Sequence, residues 1–110
     1  HHDIFDKIHH LSLIANQMAE PAIREDAAEW LVQNYPAFIE RIPRQWPRRT
    51  PRLFGKFCEV EKINAMQALF DTYGDLAPGY EAALSQTREQ IELCSAMRRE
   101  KIQELVEAVQ

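Results

Sequence analysis

Three features of this 110-residue chain predict an all-α fold. Apolar residues recur at three- and four-residue steps in each long segment, and strand-like alternation of Val, Ile and Thr is absent. Leu, Ala, Glu, Gln and Arg dominate, and these lose little rotamer freedom in a helix. With 45% hydrophobic and 27% charged residues, the chain reads as globular rather than disordered. Its length suits one domain or a piece of one.

The first helix is expected from the stripe Ile4, Phe5, Ile8, Leu11, Ile14 and Met18, capped by Asp3. Ahead of it stand His1 and His2, read as a tag remnant on a piece excised from a larger chain. Residues 3–110 then form one helical domain. Pro21 suits the first turn of a second helix, whose buried face is Ile23, Ala27, Trp30 and Leu31. Asn34 and Pro36 mark its end, and a short third helix follows over residues 37–41.

Pro43, Pro47 and Pro51 forbid a continuous helix through residues 43–51, so a stiff, exposed loop is expected there. Thr50 and Pro51 read as the N-cap and first position of another short helix over 52–57. Val60, Ile63, Met66, Leu69, Phe70 and Tyr73 form a fifth stripe, with Gly74 as its left-handed terminator. Ala77-Pro78-Gly79 turns the chain into the last and longest helix. Its seam, Tyr80, Leu84, Thr87, Ile91 and Cys94, is spaced 4-3-4-3, and Ile102, Leu105, Val106 and Val109 extend it. Short connections imply antiparallel helix pairs, in a bundle or a solenoid fragment. No repeat at 33 to 47 residues is readable, so the solenoid alternative does not come from periodicity.

Catalytic patterns are missing. His9 and His10 are adjacent, so on a helix their side chains diverge by about 100° and cannot chelate as an i, i+4 pair does. The three glycines are isolated at 55, 74 and 79, which excludes a phosphate loop. Ser12, Ser85 and Ser95 lack an elbow, and Cys94 has no histidine near it in sequence. Cys58 and Cys94 show no metal spacing and are read as buried thiols of a cytoplasmic protein, with a bridge as the alternative should their helices meet. No apolar run is long enough to span a membrane.

Charge is distributed unevenly. Arg41, Arg44, Arg48, Arg49, Arg52 and Lys56 fall within 16 residues that hold no acid. That segment carries +6 and the whole chain −4, so the remainder carries −10. A local positive field on an acidic body is the result. Three ligands fit it: an acidic surface of this or another domain, the C-terminal carboxylate of a peptide, or nucleic acid. Arginine forks match carboxylates bidentately. The acidic pI of 5.5 argues against nucleic acid.

The order of motifs also resembles a known family. The block A-I-R-E-D-A-A-E-W-L-V-Q-N-Y (22–35) precedes E-R-I-P (40–43) and F-G-K-F-C (54–58). A-L-F-D (68–71), P-G-Y (78–80) and Q-x-x-E-Q-I-E-L-C-x-x-x-R (86–98) follow. Together they are similar to the closing helices of zinc aminopeptidases of the aminopeptidase N family. Glu92 stands where that family often has Arg, and Ala28 where it often has Trp. The resemblance implies a C-terminal domain of HEAT- or armadillo-like helix pairs, curved over a catalytic domain and enclosing the peptide cavity. It implies zinc in the parent enzyme only, with no cofactor, metal ligand or catalytic residue in this piece. Its partners would be the catalytic domain and the peptide substrate. Arg24 and the basic segment would line the cavity or the domain interface. The alternative is a stand-alone helical adaptor that binds a protein or nucleic acid through residues 41–56.

Overall fold

A computed structural model describes the backbone of residues 2–109 and the side chains of residues 9–109. The fold is all-α: α1 (His2–Ala19), α2 (Arg24–Glu40), α3 (Glu61–Tyr73) and α4 (Glu81–Ala108). Two 3₁₀ segments, Pro47–Phe54 and Gly74–Leu76, complete it. Because α1 already starts at His2, Asp3 lies inside the first turn rather than capping it. His1 and the side chains of Ile4, Phe5 and Ile8 lie outside the described residues.

Helices α1 and α2 form an antiparallel hairpin through the short turn 20–23. Pro21 sits in that turn, three residues ahead of the helix it was expected to open. Leu31 and Ala27 are buried as the stripe requires, whereas Ile23 and Trp30 are exposed, Trp30 by 48%. The expected break at Asn34 is present: Asn34 has φ −120° and ψ 18°. Helix α2 therefore consists of two helical stretches meeting at a kink, the second running through Pro36 to Glu40 where a short third helix is expected. The Asn34 side chain donates to the Trp30 carbonyl at 2.8 Å, which gives that acceptor a partner at the kink.

The core gathers Ile14, Met18, Leu31, Tyr35 and Phe38 from the hairpin with Phe54, Phe57, Met66, Phe70 and Ile91 from the rest. Tyr35 meets Phe70 edge-on with ring centroids 5.6 Å apart, and Phe70 stacks on Tyr80 at 5.2 Å. Gly74 does not terminate α3 in the left-handed region; its φ is −56°. A Cβ there would lie 2.7 Å from the Tyr80 ring, so close approach, not handedness, requires the glycine. Gly79 supplies the left-handed step instead, at φ 85°, and turns the chain into α4 as Ala77-Pro78-Gly79 predicts.

Helix α4 packs chiefly against the 3₁₀ segment Pro47–Phe54 and less on α3, its neighbour in sequence. Its predicted seam holds: Leu84, Thr87 and Ile91 are buried, and Tyr80 and Cys94 half-buried. Beyond Arg98 the helix projects, which accounts for the 61 Å length of a molecule only 25 by 20 Å across. The two cysteines are not free thiols. Cys58 and Cys94 form a disulfide with Cα atoms 5.0 Å apart. The seam carries Cys94 to the loop that follows the 3₁₀ segment, a proximity that spacing 36 residues apart does not reveal.

Candidate anion-binding site

The basic segment is built on a buried floor. Pro47 opens the 3₁₀ segment and Pro51 lies inside it, where a missing N–H favours a short, tight helix over a long one. This displaces the helix expected over 52–57, and Thr50 lies within the turn instead of capping one. Thr50, Pro51, Phe54 and Phe57 face the core, so the segment is anchored rather than fully exposed. The Thr50 hydroxyl donates to the Pro47 carbonyl at 2.7 Å, leaving its oxygen to accept from the Tyr35 hydroxyl at 2.7 Å. Burial pushes the Tyr35 hydroxyl up to about 12; the Thr50 hydroxyl, able to turn and donate to a phenolate, acts in the opposite sense.

Three residues per turn place Trp46, Arg49 and Arg52 in one column. The Arg49 guanidinium stacks over the Trp46 ring at 5.3 Å. Arg52 donates to the Gln86 side chain of α4 at 3.1 Å. Arg48 lies beside the Gly79 turn, 3.9 Å from the position of a Cβ there. Arg44 and Lys56 are exposed on either side of this group in sequence. Arg41 stands apart, at the rim of a groove of about 550 Å³ between α1 and α2 that His10, Leu13, Trp30 and Phe38 also line.

Arg24 is used differently. Its guanidinium donates to the carbonyls of Met18 at 2.6 Å, Ala19 at 3.0 Å and Lys56 at 3.0 Å. It thereby closes the C-terminus of α1 and ties it to the end of the basic segment, where unmatched helix carbonyls need donors. With those donors engaged and Phe57 5.8 Å from its carbon, Arg24 is a structural clasp. The position directly after a helix-ending turn was the signal in sequence.

The described acids do not neutralise the segment. Lys62 pairs with Glu25, Arg88 with Glu92 and Arg98 with Glu59. Among the described residues, none of the six cations at 41–56 has an acidic partner. Glu92, the departure from the resembling family, is occupied by Arg88 at 3.3 Å. Among the described residues no group of three His, Cys, Asp or Glu is placed to hold a metal, and no helix is long and apolar enough to cross a membrane. No protein-family model, curated protein or solved structure matches the chain.

Proposed function

We propose that this chain is a helical accessory domain of a zinc aminopeptidase, and that it presents a fixed arginine platform to the C-terminal carboxylate of a peptide. One observation carries the reading. Arg48, Arg49 and Arg52 stand on a segment anchored from below, flanked by Arg44 and Lys56, with no acidic partner among the described residues. A self-neutralised segment would have supported a packing role instead. An anchored one has already lost the conformational freedom that binding would otherwise cost. The helical hairpin α1–α2 supports the helix-pair architecture that the resemblance implies. Zinc, catalysis and the catalytic domain as partner enter through the resemblance alone. The Cys58–Cys94 pairing favours an oxidising compartment over the cytoplasm for such a parent.

Peptides of one sequence with a free or an amidated C-terminus test the platform. Trp46, beneath Arg49, reports binding by fluorescence once Trp30→Phe removes the other indole. The free acid is expected to bind at least about tenfold tighter, as fits a charge-assisted bidentate contact, and Arg48→Gln/Arg49→Gln to abolish the difference. Equal affinity for acid and amide would overturn the carboxylate reading. Oligonucleotide binding that falls steeply with salt would favour the adaptor alternative. In a parent enzyme, the same two substitutions would slow peptide turnover more than hydrolysis of a single-residue amide.

A further inference from the structure

The projecting half of α4 leaves apolar surface bare in an ordered pattern. Leu93, Met97, Leu105 and Val109 lie on one i, i+4 row, broken only by Lys101. Ile102 and Val106 lie on the next row, headed by Arg98. All six apolar side chains are exposed, from 43% at Val106 to 85% at Val109. At 1.5 Å per residue the longer row runs about 24 Å. Adjacent i, i+4 rows are the surfaces that interdigitate when two helices cross. At its foot the row enters an open apolar cleft of about 620 Å³ lined by Cys58, Leu93, Cys94, Met97 and Ile102.

We infer that this surface receives a second copy of the same chain, α4 against α4, antiparallel about a two-fold axis near Lys101 and Ile102. In that arrangement Leu105, Val106 and Val109 of each copy seat in the cleft at the foot of the other. Area and charge select this occupant. The six residues expose roughly 600 Å², at the upper end of what a monomer ordinarily leaves bare. Two copies bury at most roughly 1,200 Å², the lower bound of a specific interface, which fits a weak, reversible dimer.

Charge along α4 sets the direction. Its root carries Arg98, Arg99 and Lys101 with Glu100 among them and Arg98 paired with Glu59, a net positive stretch, whereas its tip carries Glu104 and Glu107. The last described turn holds no basic residue. Antiparallel pairing brings each acidic tip to the partner's basic root, and parallel pairing sets like against like. The two Lys101 side chains approach one another at the axis, which limits affinity. The pairing uses none of the arginines of the 41–56 segment and stands apart from the peptide reading.

Sedimentation velocity on the oxidised 110-residue chain, from about 5 to 500 µM, tests this. A monomer–dimer equilibrium is expected, with a dissociation constant on the order of 10 to 100 µM. Leu105→Asp and Met97→Glu are each expected to weaken it at least about tenfold with helicity unchanged, since both positions are exposed in the monomer. Lys101→Met is expected to tighten it severalfold. A monomer throughout the range would overturn the proposal and leave the face to another protein or another segment. Open-ended association would overturn the two-fold geometry, and so would a dimer indifferent to both Leu105→Asp and Met97→Glu.

Discussion

The basic segment at 47–57 presents cations with no acidic partner among the described residues, and the α4 tip at 99–109 presents apolar side chains left exposed. They differ in what lies beneath them. The segment rests on Thr50, Pro51, Phe54 and Phe57, a hydrogen-bond pair to Tyr35, and a disulfide one residue past its end. The tip is a single helix with no described side chain packed against its apolar stripe. One region has fixed cations awaiting an anion; the other has apolar rows awaiting a helix. Charge is therefore offered on a rigid base, and hydrophobic area on a free-standing rod. A stretch of 3₁₀ turn with two prolines is the better anchored of the two, against the usual expectation for a loop.

The comparison can be broken at several points, taken from the largest expected effect to the smallest. Replacing Cys58 and Cys94 by Ser removes a bridge spanning 36 residues and should lower stability by about 3 to 4 kcal/mol in urea unfolding. A loss under about 1 kcal/mol would mean that packing alone holds the segment to α4. Within one helix, Ile91→Ala and Leu105→Ala form a matched pair. The first, in the buried seam, should cost about 3 kcal/mol, and the second less than about 0.5 kcal/mol in dilute protein.

Thr50→Val strands the buried Tyr35 hydroxyl and should cost about 1 to 3 kcal/mol. A neutral outcome would show that the floor is held by shape alone. The Tyr35 hydroxyl also gives the floor a pH signature. Its folded value, about 12, lies above the ordinary 10.0, so its contribution is fully present below pH 10. It is lost as pH rises from 10 toward 12, by up to about 1.4 kcal/mol per pH unit. Tyr35→Phe should remove that share of the alkaline loss, read as the difference between the two unfolding curves.

Much of the fold was legible in sequence because it followed from spacing. The α4 seam from Tyr80 to Cys94, the α3 stripe from Ile63 to Tyr73 (though not Val60, which is exposed ahead of the helix) and the Gly79 turn needed only periodicity and turn chemistry. Trp30 was misread because a stripe gives a face, not its edge, and a large aromatic there stays half in water. The break at Asn34 was legible too, since Pro36 removes one hydrogen bond there without forbidding the helix beyond it. The disulfide and the bond from Arg24 to the Lys56 carbonyl were illegible for another reason. Each joins residues more than 30 apart, and only tertiary packing brings them together. The six cations were found from composition alone, while their anchoring on Thr50 and Phe54 was not.

Hydrogen exchange by mass spectrometry, on dilute oxidised chain at neutral pH, tests most directly whether the arginine platform is rigid. Amides of residues 49 and 52–57 should be protected nearly as well as those of α3, and those of 99–109 should exchange far faster. Exchange of the basic segment as fast as the α4 tip would contradict the account. Its arginines would then sit on a mobile loop, with no fixed geometry to offer a carboxylate.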